Sequence, residues 1–277
     1  MRVRAFAKIN LSLRVVGARR DGFHELRTIF QSIALHDTLT IRRTRRAFDL
    51  TTDDPACPAG RANLVWRAAE RLWRAAGRRG APRGVAIDLR KRVPMNAGLG
   101  GGSSDAAAAI RALARLWRVD AARARAVGRA LGADVAYFFE GGTVLGLERG
   151  DLLFPLIDRP AAFVVLVLPG FGVSTKEAYA WFDAGRAAAR ATPRADLVND
   201  LQPPVARRHP EITRIVRALV RAGASHAAMT GSGSTVFGLF ASRRAAERAA
   251  RAIASASRQT HVTRTLNRQQ YQRLAAP

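Results

Sequence analysis

The eleven residues Pro94-Met95-Asn96-Ala97-Gly98-Leu99-Gly100-Gly101-Gly102-Ser103-Ser104 place four glycines and two serines directly ahead of an alanine-rich stretch. Glycine lets a backbone come close to an anion, and the start of a helix offers unpaired amide donors and a partial positive charge. A phosphate is the guest that such a loop suits. Ser103 and Ser104 can cap the helix, and can also touch phosphate or a magnesium ion. The loop is not a Walker loop, because no Gly-Lys-Ser/Thr ending follows. Nor is it a dinucleotide fingerprint, because no acidic residue on a following strand reads as a ribose anchor. Lysine occurs only at Lys8, Lys91 and Lys176 in a chain that otherwise uses arginine for its cations. A compact ammonium on a flexible stem does what a planar guanidinium does not, so these three sites are candidates for chemistry. Compositional bias with three chance survivors is the plainer alternative.

The elements that must position these residues can be read from periodicity. Alternating apolar positions from Val3 to Val15 and from Leu26 to Ile41, separated by Arg20-Asp21-Gly22, predict two strands and a turn. Leu64, Val65, Ala68, Leu72 and Ala75 have helical spacing, Gly77 supplies a stop, and Val85 to Leu89 reads as a strand. The glycine loop follows, then a buried helix from Asp105 to Trp117, a helix from Ala121 to Leu131, a loop at Gly132-Ala133-Asp134 and two short strands around Gly141-Gly142. After Pro155 and Pro160 the expected order is strand 163–168, helix 175–184, a Pro-containing link, helix 211–221, strands 226–229 and 235–240, helix 242–256 and strand 260–265. This is a split βαβ arrangement. It predicts an α+β chain of two domains, 1–158 and 159–277, with the boundary near residue 158.

With 277 residues, 48% hydrophobic and 24% charged, the chain can bury a sizeable core. Its single cysteine, Cys57, excludes an internal disulfide and fits a reducing, cytoplasmic setting. Lys8, Asn10 and Ser12 interrupt the N-terminal stretch where a signal peptide would be apolar. The longest apolar run, Ala161 to Leu168, is far too short to cross a membrane. A net charge of +25 invites a nucleic-acid reading. Against it, the arginines are spread along helices (Arg111, Arg115, Arg118, Arg123, Arg125, Arg129) rather than gathered among stacking aromatics. No specific nucleic-acid or membrane partner is expected.

The loop from Pro94 to Ser104 resembles the ATP-binding signature of the GHMP kinases. Ala7-Lys8-Ile9-Asn10-Leu11 resembles the first motif of that superfamily, and Met229-Thr230-Gly231-Ser232-Gly233-Ser234 resembles its third. Within it, Arg20-Asp21-Gly22-Phe23-His24-Glu25-Leu26 and Thr28-Ile29-Phe30-Gln31-Ser32-Ile33 are similar to the substrate motif of the branch that phosphorylates a cytidine-diphosphate-linked methylerythritol. Gly132-Ala133-Asp134-Val135, Val173-Ser174-Thr175 and Asn199-Asp200 match that branch too, so the resemblance runs over essentially the whole chain.

The resemblance implies a ribosomal-protein-S5 domain-2-like N-terminal domain and a ferredoxin-like C-terminal domain, ATP and Mg2+ as cofactors, and a monomer or homodimer. It makes Lys8 and Asp134 the catalytic pair and places the nucleotide on Lys91 and residues 94–104. It implies that Phe23 stacks on a cytosine, that His24 hydrogen-bonds it, that Tyr179 forms the opposite wall, and that Asn10 and Thr175 add hydrogen bonds. Two departures stand out. Asn96 occupies a position where the family often has Gly or Gln, and Ala136 one where it usually has Pro, which predicts a less rigid Asp134 loop. Another GHMP kinase, for homoserine or a mevalonate derivative, would have no use for a cytosine clamp.

Overall fold

The computed structural model describes residues 1–186 and 199–277. Strands β1 (Arg2–Ala18) and β2 (His24–Ala47) form a long antiparallel hairpin, turned where Arg20-Asp21-Gly22 was expected to turn it. Gly22 sits there at φ +80°, a conformation that glycine adopts without strain. β2 is the axis of the first sheet. One edge pairs with β1; the other pairs with β5 (Thr143–Glu148) along its first part and with β4 (Arg83–Arg90) along its second. β3 (Asp49–Thr52) runs parallel to β4, and β6 (Leu152–Pro155) antiparallel to β5.

Helices α1 (Leu64–Ala75), α2 (Gly101–Trp117), α3 (Ala121–Leu131) and α4 (Ala133–Glu140) belong to this half of the chain. Asn63 starts α1 by accepting the Val65 amide at 2.8 Å, the capping that its side chain favours. In α2 the run Ala106–Ala109 is wholly buried. A helix so enclosed needs small side chains to approach α1 closely, and alanine also costs the least backbone and side-chain freedom in a helix.

The second sheet has the order β10 (Arg258–Arg264), β7 (Phe163–Pro169), β9 (Val236–Phe240), β8 (His226–Met229), antiparallel throughout. With α5 (Thr175–Arg186), α6 (Gln202–Arg208), α7 (Glu211–Arg221) and α8 (Arg243–Ile253), this is the ferredoxin-like order of a split βαβ pair. The apolar run from Ala161 becomes β7, an inner strand whose Val164 to Val167 are fully buried. The two sheets meet through a shared apolar cluster in which Ala7, Ile9, Leu11 and Ile33 join Val164, Leu166, Phe237 and Leu239. Helix α9 (Arg268–Ala275) follows the last strand of the second sheet, yet buries Tyr271 and Ala275 in the first core.

Three expectations need correction. α2 begins at Gly101 rather than Asp105, so the last glycines of the loop form its first turn. Residues 133–140 are helix α4 rather than a loop leading into a strand. Their β-branched and aromatic residues suggest a strand, but burial of Val135, Tyr137 and Phe138 against the first core decides otherwise. The Ala136 amide bonds the Gly132 carbonyl at 3.3 Å, so the missing proline leaves a helical turn and not a looser loop. The Pro-containing link lies partly outside the described residues; its described part holds α6, whose prolines sit in the first turn, where their lack of an N–H costs nothing.

Candidate active site

The site begins with β1, where the pairing register shifts between Phe6 and Lys8 and again between Asn10 and Ser12. Such bulges re-aim side chains in a strand. Ala7, Ile9 and Leu11 go to the cluster between the sheets, while Lys8 and Asn10 line a cavity of about 850 Å³. Both are almost fully buried, so their polar groups need partners. The Lys8 ammonium donates to Asn10 Oδ1 at 2.7 Å, and Asn10 Nδ2 donates to Thr28 Oγ1 at 2.7 Å. Lys8 Nζ lies 3.5 Å from Asp134 Oδ2. Asp134 stands in the first turn of α4, where the helix favours a negative charge.

Three distant segments are stitched together at this point. The Lys8 amide donates to the Leu99 carbonyl at 3.0 Å, the Asn10 amide to Thr230 Oγ1 at 3.0 Å, and Thr230 Oγ1 to the Gly98 carbonyl at 3.3 Å. Gly98 has φ +72°, and a Cβ there would stand 2.3 Å from the Thr230 carbonyl oxygen. No other residue fits. The loop thus passes the β8–β9 turn at backbone distance and ends at the mouth of α2, where Gly100, at φ +70°, precedes the helix without a side-chain cap. The first amides of α2 are left to face the cavity as anion donors.

Pro94 to Ser103 all line the cavity. Ala97 and Leu99 do so with their backbone, because their side chains are buried in the cluster between the sheets. Ser104 departs from expectation. Its hydroxyl donates to the Phe6 carbonyl at 2.6 Å and the residue is buried away from the cavity, so it locks α2 to β1 and neither caps the helix nor reaches a phosphate.

Lys91 lines the cavity but is not free. Its ammonium is clasped by Asp37 and by Asp105, the latter at 2.8 Å, while Asp37 also accepts the amides of Arg92 and Val93. Burial opposes the charge on Lys91, yet the two carboxylates hold its pKa above the ordinary lysine value. Burial, with Asp37 beside it, pushes the Asp105 carboxyl up to about 8 against the pull of Lys91. One ammonium cannot neutralise two enclosed carboxylates, so the third charge is removed by a proton.

At the other end of the cavity, Tyr179 lies flat against His24, with ring centroids 4.6 Å apart and planes at 25°. His24 Nε2 is 2.9 Å from Asp183 Oδ1, and Phe182 meets the imidazole edge-on at 6.4 Å. Burial raises the Tyr179 phenol above its ordinary pKa, helped by the charges of Asp134 and Asp183, and the tyrosine lines the same cavity as Asp134. Phe23 is 56% exposed and carries the Arg149 guanidinium 5.3 Å from its ring centroid. Tyr179 thus stacks on His24 itself, whereas the sequence suggested a wall across from Phe23. Thr175, at the start of α5, bonds Ser232 at 3.1 Å and lines the cavity between the two ends.

Several residues of the site were missed from sequence. Thr28 and Thr230 stand inside quoted motifs, but a threonine carries no signal of what it bridges, which for Thr230 lies 132 and 220 residues away. Asp105 did carry one, as the single acid in an alanine helix directly after the glycine loop. Arg149, Asp37 and Asp183 stand in no recognisable spacing.

The model of the GHMP kinases N terminal domain matches residues 63–142, and that of the GHMP kinases C terminal matches residues 182–259. A protein of Moorella thermoacetica named 4-diphosphocytidyl-2-C-methyl-D-erythritol kinase is 43% identical over 95% of this chain and 98% of its own length. A protein of the same name from Pelotomaculum thermopropionicum is also 43% identical, over 95% of this chain and 97% of its own. A crystal structure of a 4-(cytidine 5'-diphospho)-2C-methyl-D-erythritol kinase superposes with a TM-score of 0.80 at 34% identity, covering 96% of this chain and 99% of that one. A homoserine kinase from Cytophaga hutchinsonii shares the fold at 20% identity and a TM-score of 0.68. Identity at this level along nearly the full length of both chains, with the three motifs gathered on one cavity, places the chain in the 4-diphosphocytidyl-2-C-methyl-D-erythritol kinase family of the GHMP kinases.

Proposed function

We propose that the chain transfers the γ-phosphoryl group of ATP to the 2-hydroxyl of 4-diphosphocytidyl-2-C-methyl-D-erythritol, a step of the non-mevalonate isoprenoid route. The observation that carries this reading is the Lys8–Asp134 pair, 3.5 Å apart, between a phosphate-shaped loop and an aromatic wall. The triphosphate lies on the loop from Pro94 to Ser103, against the free amides of α2. The sugar alcohol lies over Asp134, with Asn10 and Thr175 beside it, and its cytosine is held by His24, Phe23 and Tyr179. Base–aromatic stacking contributes about 1 to 3 kcal/mol per contact, enough to make the cytidine a handle.

Phosphoryl transfer passes through a loose transition state, so positioning and charge matter more than base strength. Asp134 orients the attacking hydroxyl and accepts its proton late. Lys8, already beside it, offsets the charge that develops on the moving phosphoryl group. Among the described residues no group of three or more His, Cys, Asp or Glu is arranged to hold a metal. Magnesium, which keeps its waters and binds chiefly through phosphate oxygens, would suit such a site, and Ser103 and Asp134, which both line the cavity, would be the residues to hold it. When bound, it neutralises phosphate charge.

Lys91 supports the nucleotide end through its ion pairs. A partition near residue 158 separates an ATP-binding half from a ferredoxin-like half. A cytoplasmic setting fits the single thiol, Cys57, which is free and buried; no helix among the described residues is long and apolar enough to cross a membrane. The test is to incubate the protein with ATP, magnesium and, in turn, diphosphocytidyl methylerythritol, homoserine and mevalonate. ADP is expected from the first alone. Turnover of either other alcohol at a comparable rate would overturn the substrate assignment.

A further inference from the structure

The cations that line the cavity among the described residues are Lys8, Lys91 and Arg149. Two of them are spoken for. Lys8 is held by Asn10 and Asp134, and Lys91 by Asp37 and Asp105. Arg149 is different. Among the described residues its one ion pair is with Asp151, at 3.1 Å, Asp21 feels its charge without pairing to it, and the guanidinium side chain remains 43% exposed. A half-exposed pair of this kind is weak, and a guanidinium has five donors, so most of its hydrogen-bonding capacity is open to a ligand.

Its place in the fold is specific. In the hairpin of β5 and β6, Glu148 pairs with Leu26, so Arg149 lies one step farther along, toward Glu25 and Phe23. Its guanidinium carbon lies 5.3 Å from the Phe23 ring centroid. The next residue, Gly150, abuts the start of α4: a Cβ placed on it would lie 3.9 Å from that of Ala133, the neighbour of Asp134. Arg149 therefore stands between the aromatic end of the cavity and the catalytic pair. In a substrate with a cytosine at one end and the reacting alcohol at the other, the diphosphate occupies that stretch.

We infer that Arg149 binds the diphosphate of the cytidine-linked substrate and so makes the enzyme selective for nucleoside diphosphate esters over uncharged nucleosides. The inference rests on the functional reading above. Planar paired donors match adjacent phosphate oxygens, and a partly enclosed site strengthens the contact relative to water. The triphosphate of ATP is served separately by the mouth of α2, so the two anions do not compete for one cation.

The experiment titrates the whole protein calorimetrically with cytidine and with CDP, in the wild type, Arg149→Met and Arg149→Lys. The wild type should bind CDP at least about tenfold more tightly than cytidine, the size of effect that a charge-assisted contact gives. In Arg149→Met this advantage should fall below about threefold while cytidine affinity holds, and Arg149→Lys should keep part of it. An undiminished advantage in Arg149→Met overturns the inference. Equal losses for cytidine and CDP also overturn it, because they assign Arg149 to the support of Phe23. Wild-type turnover of the cytidine-diphosphate substrate, measured alongside, separates the two readings. If it is present and the Arg149→Met advantage is undiminished, only Arg149 is wrongly placed; if it is absent and the wild type binds neither nucleoside, both readings fall.

Discussion

Asp134 and Lys8 reach one another from the first turn of a helix and the middle of a strand, and each residue has a different duty to lose. Asp134→Asn keeps the shape and the helix start but removes the proposed proton acceptor and the charge facing Lys8. We expect turnover to fall by two or more orders of magnitude, about 3 kcal/mol of barrier, with ATP affinity nearly unchanged. Comparable kcat in the variant would remove Asp134 from the mechanism. Asp105 offers a pH test. Its folded pKa of about 8 lies above the usual 3.8, so the native state holds that proton more tightly than the unfolded chain does. Native stability must then fall as pH rises from about 4 through about 8. The raised Lys91 pKa acts elsewhere, contributing stability that is present below its usual 10.5 and lost as pH climbs through its higher folded value. The melting temperature of the wild type should thus drop more between about pH 6 and pH 8 than that of Asp105→Asn. Parallel curves would show that the carboxyl is ionised throughout. That Lys8 and Asp134 meet was legible because motifs flag them both; Asp105 was flagged only as a lone acid and Asp37 not at all, because a buried charge cluster forms only when β2, the end of β4 and α2 converge.

At the scale of elements, the glycine loop works only because it passes the β8–β9 turn with no side chain between them. Gly98→Ala should force that contact apart, since a Cβ 2.3 Å from a backbone oxygen has no flexible neighbour to displace and φ +72° is strained for alanine. We expect a loss of about 1 to 3 kcal/mol in stability and a rise in KM for ATP that exceeds the change in KM for the alcohol. Equal changes in both would locate the damage in general unfolding. Strands and helices with clean periodicity, such as α1, α7, β7 and β8, were legible to within a residue or two. α4 was not, because its local preference points to a strand while its burial demands a helix. The short edge strands β3 and β6 lack enough residues for a pattern, and the prolines that read as a break fit the first turn of α6.

At the scale of the whole molecule, sequence order concealed one contact on which the site depends. Helix α9 comes after the second sheet is complete, but it crosses back to brace α4, the helix that bears Asp134. The Tyr271 hydroxyl donates to the Phe138 carbonyl at 2.6 Å, and its ring lies over Gly141 so closely that a Cβ there would sit 2.0 Å from it. The ring is buried, so Tyr271→Ala should cost about 3 to 5 kcal/mol through the cavity it leaves, while the Phe138 carbonyl keeps its bond from Arg111. Tyr271→Phe removes only the hydrogen bond and should cost about 1 kcal/mol. If α9 positions α4 and does not merely add to the core, the alanine variant will lose kcat at a temperature where circular dichroism still reports it folded, while ATP affinity, which the proposed function assigns to the loop and α2, holds. A variant that melts earlier but keeps wild-type kcat below its transition would make α9 a stabilising strap with no influence on Asp134.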